Sequence, residues 1–229
     1  MTSILSKFVQ IVKLMEKELH IEGIRTDYRL AALHEDQVDK QPIRQFRRWF
    51  AEALKAQVIE VNAMTLATLD EAGYPSARIV LLKAIEDNGF VFYTNYNSDK
   101  GVEMAAHAQV SLVFFWPDLQ RQVRIKGMVS KVDDQTATAY FHSRPLGSQL
   151  GAWASPQSSV ITNRAVLEEN LVRVTEKYAG QTVPKPPYWG GYLVTPVSVE
   201  FWQGGADRLH DRIKYTAIND TWKIERLAP

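Results

Sequence analysis

The sequence predicts a mainly β protein of the α+β class, a single domain built on an antiparallel β-barrel with helices packed against it. Three observations predict this. From Ala63 onward, short apolar stretches alternate with turn clusters, as in a meander. Helical spacing is strongest at the flanks and in a few segments between strands. Nowhere do strand and helix alternate regularly enough for a doubly wound sheet, and neither a GxGxxG nor a P-loop motif occurs.

The elements follow in chain order. Ile4, Phe8, Ile11, Val12 and Met15 give residues 1–20 helical spacing, and residues 21–41 lose any period. The chain therefore reads as a helix and mobile arm over 1–41, then one domain over 42–229. Pro42 is a favoured first-turn residue and opens a helix whose apolar stripe is Ile43, Phe46, Phe50, Ala53 and Leu54. MTLATLD, ARIVLLKAI and FVFYTNY follow as strands separated by the turns EAGYP and EDNG. SDKGVEMAAHA is a short helix, and VSLVFFW and QVRIKGMVSKV are strands joined through Pro117-Asp118. Asp133 to His142 reads as a helix with an acidic first turn, and Ser159 to Tyr178 as a longer one. PKPPYWGG stops it, and YLVTPVSVEFWQ, DRLHDRIKY and TWKIERL close the chain as strands.

Composition excludes several function classes. The 229 residues are 45% hydrophobic and 23% charged, an ordinary globular balance. A net charge of +1 asks for neither nucleic acid nor an anionic membrane, so any anion site must come from local clustering. With no cysteine there is no disulfide, thiolate metal site or Cys nucleophile, which fits a reducing compartment. The first twenty residues lack an unbroken apolar stretch and a cleavage site, so a cytoplasmic protein is expected. The five histidines show no paired ligand spacing, so no metal is expected, and no Gly-x-Ser-x-Gly elbow is present.

Chemistry is suggested where strands carry unexpected charge. On a regular strand Arg78 and Lys83 point to opposite faces; each either marks a strand end or serves an anion. Gln122, Arg124 and Lys126 share one face, either a solvated one or one that turns the Gln122 amide to a ring edge. Tyr140, Arg144 and Ser148 combine a phenol, a guanidinium and a hydroxyl, the donors a phosphate needs, unless they form an ordinary loop after Pro145 ends the helix. The serines before the long helix are either an anion site or, at Ser159, an N-cap. Most informative is WQGGADRLHDR. Arg208, His210 and Arg212 would share one face of a strand beside Trp202 and the Gly204-Gly205 pair. Two guanidiniums flanking an imidazole repel unless an anionic or electron-rich ligand lies among them; the alternative is a solvated face.

Taken in order, RIVLLK, FYTN, FHSRP, SQLGAW, QSS, WGG and FWQGG-x-x-RLHDR resemble the pyridoxine/pyridoxamine 5′-phosphate oxidase family, from about Arg25 to Pro229. The resemblance implies an FMN-binding split β-barrel, active as a homodimer with two sites at the subunit interface. It implies that Arg78, Ile79, Val80, Lys83, Tyr93, Thr94, Lys100, Gln122, Gln157 and Ser158 hold FMN, with Trp202 and Arg212 added from the facing subunit. Lys83, Tyr140, Arg144 and Ser148 would grip the substrate phosphate, and Arg208, Leu209 and His210 would lie at the pyridine ring, with Arg208 and His210 catalytic. Arg25 to Tyr28 would cover the substrate. The implied reaction passes electrons from the substrate to the flavin and then to O2. One departure stands out: Asp99 occupies a position where the family often has arginine, and it is expected to face solvent. Two other readings remain open, a split-barrel flavin reductase and a non-catalytic flavin or pyridoxal phosphate carrier.

Overall fold

The computed structural model describes residues 26–229; the helical spacing of residues 1–20 and Arg25 lie outside them. No helix among the described residues is long and apolar enough to cross a membrane.

Helix α1 (Pro42–Lys55) opens on Pro42 and buries Ile43, Phe46, Trp49 and Ala53. Leu54, expected in that stripe, is 54% exposed. At 100° per residue it lies roughly 80° round the helix from Phe46, and Trp49 takes the contact instead. The strands are β1 (Ala63–Leu69), β2 (Pro75–Leu81), β3 (Ala84–Glu86), β4 (Gly89–Asn95), β5 (Gln109–Trp116), β6 (Arg121–Lys131), β7 (Trp189–Gln203), β8 (Asp211–Ile218) and β9 (Thr221–Arg226). All pair antiparallel in one sheet ordered β2-β1-β5-β6-β7-β4-β3, with β8 added to β7 and β9 to β8.

The 15-residue β7 organises the sheet. Along one edge it pairs with β6 from Tyr192 to Gln203. Along the other, Trp189–Val194 pairs with β4 and Ser198–Gln203 with β8. Pro196 falls in the gap between these two partners, where a missing N–H costs no ladder bond. The register shifts opposite it, between Lys126 and Gly127. A Cβ at Gly127 would lie 2.5 Å from the Thr195 carbonyl oxygen, so only glycine allows the strands this approach. The bend turns the sheet into a half-barrel whose interior α1 fills. Phe46 meets Phe90 and Phe114 edge-on at 4.8 and 4.9 Å, and Trp49 meets Phe201 at 5.2 Å. Each buried ring of this kind contributes about 1.5–3 kcal/mol.

Helix α2 (Asp99–Ala106) crosses between β4 and β5. Helices α3 (Asp134–Ser143), α4 (Leu146–Ala154) and α5 (Ala165–Lys177) enclose a second, smaller core of Phe141, Leu150, Val174, Val183 and Trp189. Asp133 caps α3 by accepting from the Thr136 N–H at 2.8 Å. Four expectations change. Pro145 does end α3, but it also serves as the N-cap of α4, a helix not expected there. The long helix begins at Ala165, not Ser159; Asn163 Oδ1 accepts from the Ala165 N–H at 2.9 Å, and Ser159 is no cap. DRLHDR is not one strand. Asp207 and Arg208 have φ of 54° and 62°, left-handed values foreign to a strand, so the chain turns over Ala206–Arg208 and β8 begins only at Asp211. Arg208, His210 and Arg212 therefore do not share a strand face. Likewise β2 stops at Leu81 and the Lys83 N–H donates to the Val91 carbonyl at 2.8 Å, which breaks the alternation between Arg78 and Lys83.

Candidate active site

The edge strand β2, the end of β4, the start of α2, the α3–α4 corner and the start of β7 surround a cavity of about 930 Å³. Twelve of the residues singled out in the sequence line it: Arg78, Ile79, Val80, Lys83, Tyr93, Thr94, Lys100, Tyr140, Arg144, Ser148, Gln157 and Ser158. Arg78 and Lys83, which a regular strand would have turned apart, thus serve one space.

At one part of the wall a buried polar network holds two cations. Arg78 pairs with Glu103 at 3.0 Å and donates to Thr68, whose hydroxyl donates in turn to Glu103. Lys100 Nζ donates to Ser98 Oγ at 3.0 Å and to Gln157 Oε1 at 3.3 Å, and Thr94 donates to the same amide oxygen at 3.3 Å. Burial, and then the nearby Arg78, push the Lys100 ammonium below its ordinary value. Ser158, beside Gln157, sits at φ 70°, a left-handed conformation that costs of order 1–3 kcal/mol and is found preferentially at functional sites.

Aromatic rings fix the opposite part. Tyr93 and Tyr140 stack at 3.8 Å, and Tyr93 stacks on Trp189 at 5.5 Å. The Arg144 guanidinium lies 4.7 Å over the Trp189 ring, and Gln149 donates to the Arg144 carbonyl at 2.8 Å, which pins the α3–α4 corner. Burial lowers the pKa of Arg144, and its Nη1 is buried without a hydrogen-bond partner among the described residues. A buried donor left unpaired costs about 1–3 kcal/mol, and more on a charged group, unless an anion meets it.

These residues fit an anionic aromatic group such as FMN together with a second phosphate. Arg78, Lys83, Lys100 and Arg144 line the cavity against one lining carboxylate, Asp99. Ile79, 63% exposed, and Val80 add an apolar wall on which a ring could lie. Asp99 is exposed, as expected, yet it also borders the cavity, and its charge counters the depression of Lys100.

The remaining predicted residues lie elsewhere. Gln122 is directly opposite Trp202, and Trp202 directly opposite Arg212, so the three form one row across β6, β7 and β8. Gln122, expected among the residues that bind flavin beside Arg78, therefore belongs with Trp202 and Arg212. Arg212 Nε donates to Glu200 at 2.9 Å and its Nη1 to the Ala228 carbonyl at 2.8 Å. The His210 ring is 4.7 Å from Trp202, and Tyr28 meets both at 5.8 and 6.0 Å. His210 Nδ1 accepts from the Gly205 N–H at 3.1 Å, so the neutral ring carries its proton on Nε2. Arg208 and Leu209 are exposed on the turn before β8. Trp189 and Trp202 are thirteen residues apart on β7, a separation of up to about 40 Å at ~3.3 Å per residue. One chain holds both parts of the predicted site, at opposite ends of one strand.

Sequence reasoning missed Glu103 and Gln149, both buried behind the wall, and it gave Trp189 no role. Trp189 could have been found as the aromatic of WGG; nothing in the local sequence marks Glu103.

Comparison with known proteins agrees with this geometry. The family model described as pyridoxamine 5′-phosphate oxidase matches residues 50–178, and that of the pyridoxine 5′-phosphate oxidase C-terminal dimerisation region matches residues 189–229. The pyridoxine/pyridoxamine 5′-phosphate oxidase of Ralstonia pickettii is 56% identical over 91% of this chain and 99% of its own. That of Cyanothece sp. is 52% identical over 92% and 99%. Among solved structures, PhzG from Burkholderia lata in complex with tetrahydrophenazine-1-carboxylic acid superimposes with a TM-score of 0.82 at 29% identity, covering 87% of this chain and 99% of PhzG. A pyridoxamine 5′-phosphate oxidase-related, FMN-binding protein from Nostoc punctiforme has a TM-score of 0.65 at 19% identity over 80% and 97%, and shares the fold. With the half-barrel, the cation-lined cavity and relatives more than half identical along nearly its whole length, the chain belongs to the pyridoxine/pyridoxamine 5′-phosphate oxidase family.

Proposed function

We propose that this chain is an FMN-dependent oxidase of pyridoxine 5′-phosphate and pyridoxamine 5′-phosphate. It forms pyridoxal 5′-phosphate with O2 as acceptor, releasing hydrogen peroxide and, from the amine, ammonia. Its place is in the cytoplasm, in the biosynthesis and salvage of this coenzyme. The observation that carries the reading is the buried Arg144 nitrogen, unpartnered among the described residues, in a cavity that also presents Lys83, Tyr140 and Ser148. That donor set suits a phosphate approached from several directions, one of them bidentate.

Bound FMN supplies a two-electron acceptor that O2 can reoxidise. The protein's part is to bind and orient. Arg78 and Lys100 neutralise the flavin phosphate, with Glu103 and Gln157 fixing their directions; Thr94 and Ser158 add donors. Lys83, Tyr140, Arg144 and Ser148 anchor the substrate phosphate, which makes the reaction effectively intramolecular. The opposite end of β7 in a second copy completes the site. There the Gln122–Trp202–Arg212 row meets the flavin, and Arg208 and His210 meet the pyridine ring. A homodimer is thus required, and the match of residues 189–229 to a dimerisation region supports it. His210, with Nδ1 held by the Gly205 N–H, can donate only through Nε2, which fixes the direction of any bond to the ring.

The test is direct. The purified protein should be yellow with a flavin spectrum, and under air it should release peroxide with pyridoxine 5′-phosphate but not with unphosphorylated pyridoxine. Flavin without peroxide would identify a carrier, and turnover of a nicotinamide cofactor in place of the vitamer would identify a reductase.

A further inference from the structure

One polar network serves neither the cavity nor the Gln122–Trp202–Arg212 row. Arg226, the last residue of β9, grips Glu35 through two nitrogens, the longer contact 2.8 Å, and pairs with Asp211 at 2.5 Å. Its Nη2 also donates to the Leu33 carbonyl at 2.8 Å, while Asp211 accepts from the Leu33 N–H at 2.9 Å. Both backbone groups of Leu33 are thereby satisfied by side chains of the last two strands. The Leu33 side chain is buried in the main core.

The segment held in this way has neither helix nor strand from residue 26 to residue 41, so its backbone depends on such partners. Nearer the chain start, the Leu30 N–H donates to the Gln120 side chain at 3.1 Å. Tyr28 then reaches Trp202 and His210, over Gly204, where a Cβ would come within 2.8 Å of the Tyr28 Cβ. Asp211 directly follows His210, so one carboxylate ties the arm and the turn together. Hydrogen bonding to Arg226 holds the Glu35 carboxyl down at about 2, so the clasp stays charged at neutral and mildly acid pH.

We propose that Arg226 is a positioning residue: by clasping Glu35 and Asp211 it seats the N-terminal arm so that Tyr28 stands against His210 and Trp202, ready to cover the substrate. The word substrate rests on the oxidase reading; the clasp itself does not.

The experiment uses the full chain with Glu35→Lys, Arg226→Gln, Arg226→Lys and Tyr28→Ala. Glu35→Lys leaves the Arg226–Asp211 pair and the β8–β9 ladder in place, so it reports on the arm even where Arg226→Gln folds poorly. Trypsin cleavage after Arg29, read by mass spectrometry, should quicken about tenfold in Glu35→Lys and Arg226→Gln, and less in Arg226→Lys. The KM for pyridoxine 5′-phosphate should rise about fivefold with kcat and flavin content little changed, and neither substitution should raise it further in a Tyr28→Ala background. Unchanged cleavage, or KM effects that add to that of Tyr28→Ala, would overturn the proposal. Absence of oxidation by the unmodified protein would overturn the oxidase reading instead, and cleavage alone would then judge the clasp.

Discussion

The two ends of β7 are built on opposite plans. At its start, Trp189 sits among buried, mutually bonded groups: Glu103 holds Arg78, Gln157 holds Lys100, and the Tyr93–Tyr140–Trp189 stack supports Arg144. At its end, Trp202 is followed by an exposed turn with two residues at positive φ, and by an arm that docks through side-chain bonds. The first end holds its cations in fixed, mutually bonded positions, as the proposed binding of anions would need. The second is cheaper to deform, which suits groups that must admit and release a substrate. On the proposed function the contrast becomes a division of labour: the cavity would hold, and the turn would meet the reacting ring.

The strongest challenge to that division separates the ends onto different chains. Lys83→Ala/Arg144→Ala and Arg208→Ala/His210→Ala should each lower kcat/KM about a thousandfold. Co-refolded in equal amounts they should recover about a quarter of the unmodified activity, since half the dimers are mixed and each carries one intact site. No recovery would mean that each site is built from a single chain. Next in size, Arg208→Ala should slow substrate oxidation about a hundredfold with little change in FMN affinity measured by fluorescence quenching. Equal losses in both would place Arg208 in flavin binding. Arg144→Ala should raise the substrate KM about tenfold while kcat changes less, as expected for a ground-state phosphate contact. The smallest effect concerns pH. Because burial depresses Lys100 below the ordinary lysine value of 10.5, its charge is lost earlier as pH rises. FMN affinity of the flavin-free protein should therefore fall several-fold in the alkaline range, and Lys100→Arg should flatten that fall. An equal fall in the arginine variant would assign it to another group.

Much of this was legible in the sequence, for reasons that differ by element. The strands were readable because alternation records burial on each face: in β6, Val123 and Ile125 are buried while Arg124 and Lys126 are exposed, as their spacing implies. The α4 helix was hidden because a proline that ends one helix can cap the next, and Gly147 and Gly151 weaken its helical signal. The turn at Arg208 escaped because nothing in DRLHDR forbids a strand; only the unusual φ values of Asp207 and Arg208 do. The cavity residues were found as motifs, but their supports were not. Glu103 acts through Arg78, 25 residues away in sequence, which periodicity does not encode. Gln149 acts on the nearby Arg144 carbonyl, a contact that exists only once the unforeseen α4 helix turns back on α3. That Gln122 lies beside Trp202 and not beside Arg78 was not legible, because pairing register, not motif order, decides its neighbours.

The central place of β7 also governs how the chain must be made. Its partners β4 and β6 are complete about sixty residues or more before it begins, and each must wait with one edge unpaired until residues 189–203 arrive. Such long-range pairing is slow and leaves open edges that attract other chains. A nascent or truncated chain ending before Trp189 would expose those edges and lack the ring beneath Arg144, so its failure would be insolubility before it was inactivity. Conditions that slow translation through the last forty residues should cost yield of this protein more than specific activity of what is recovered.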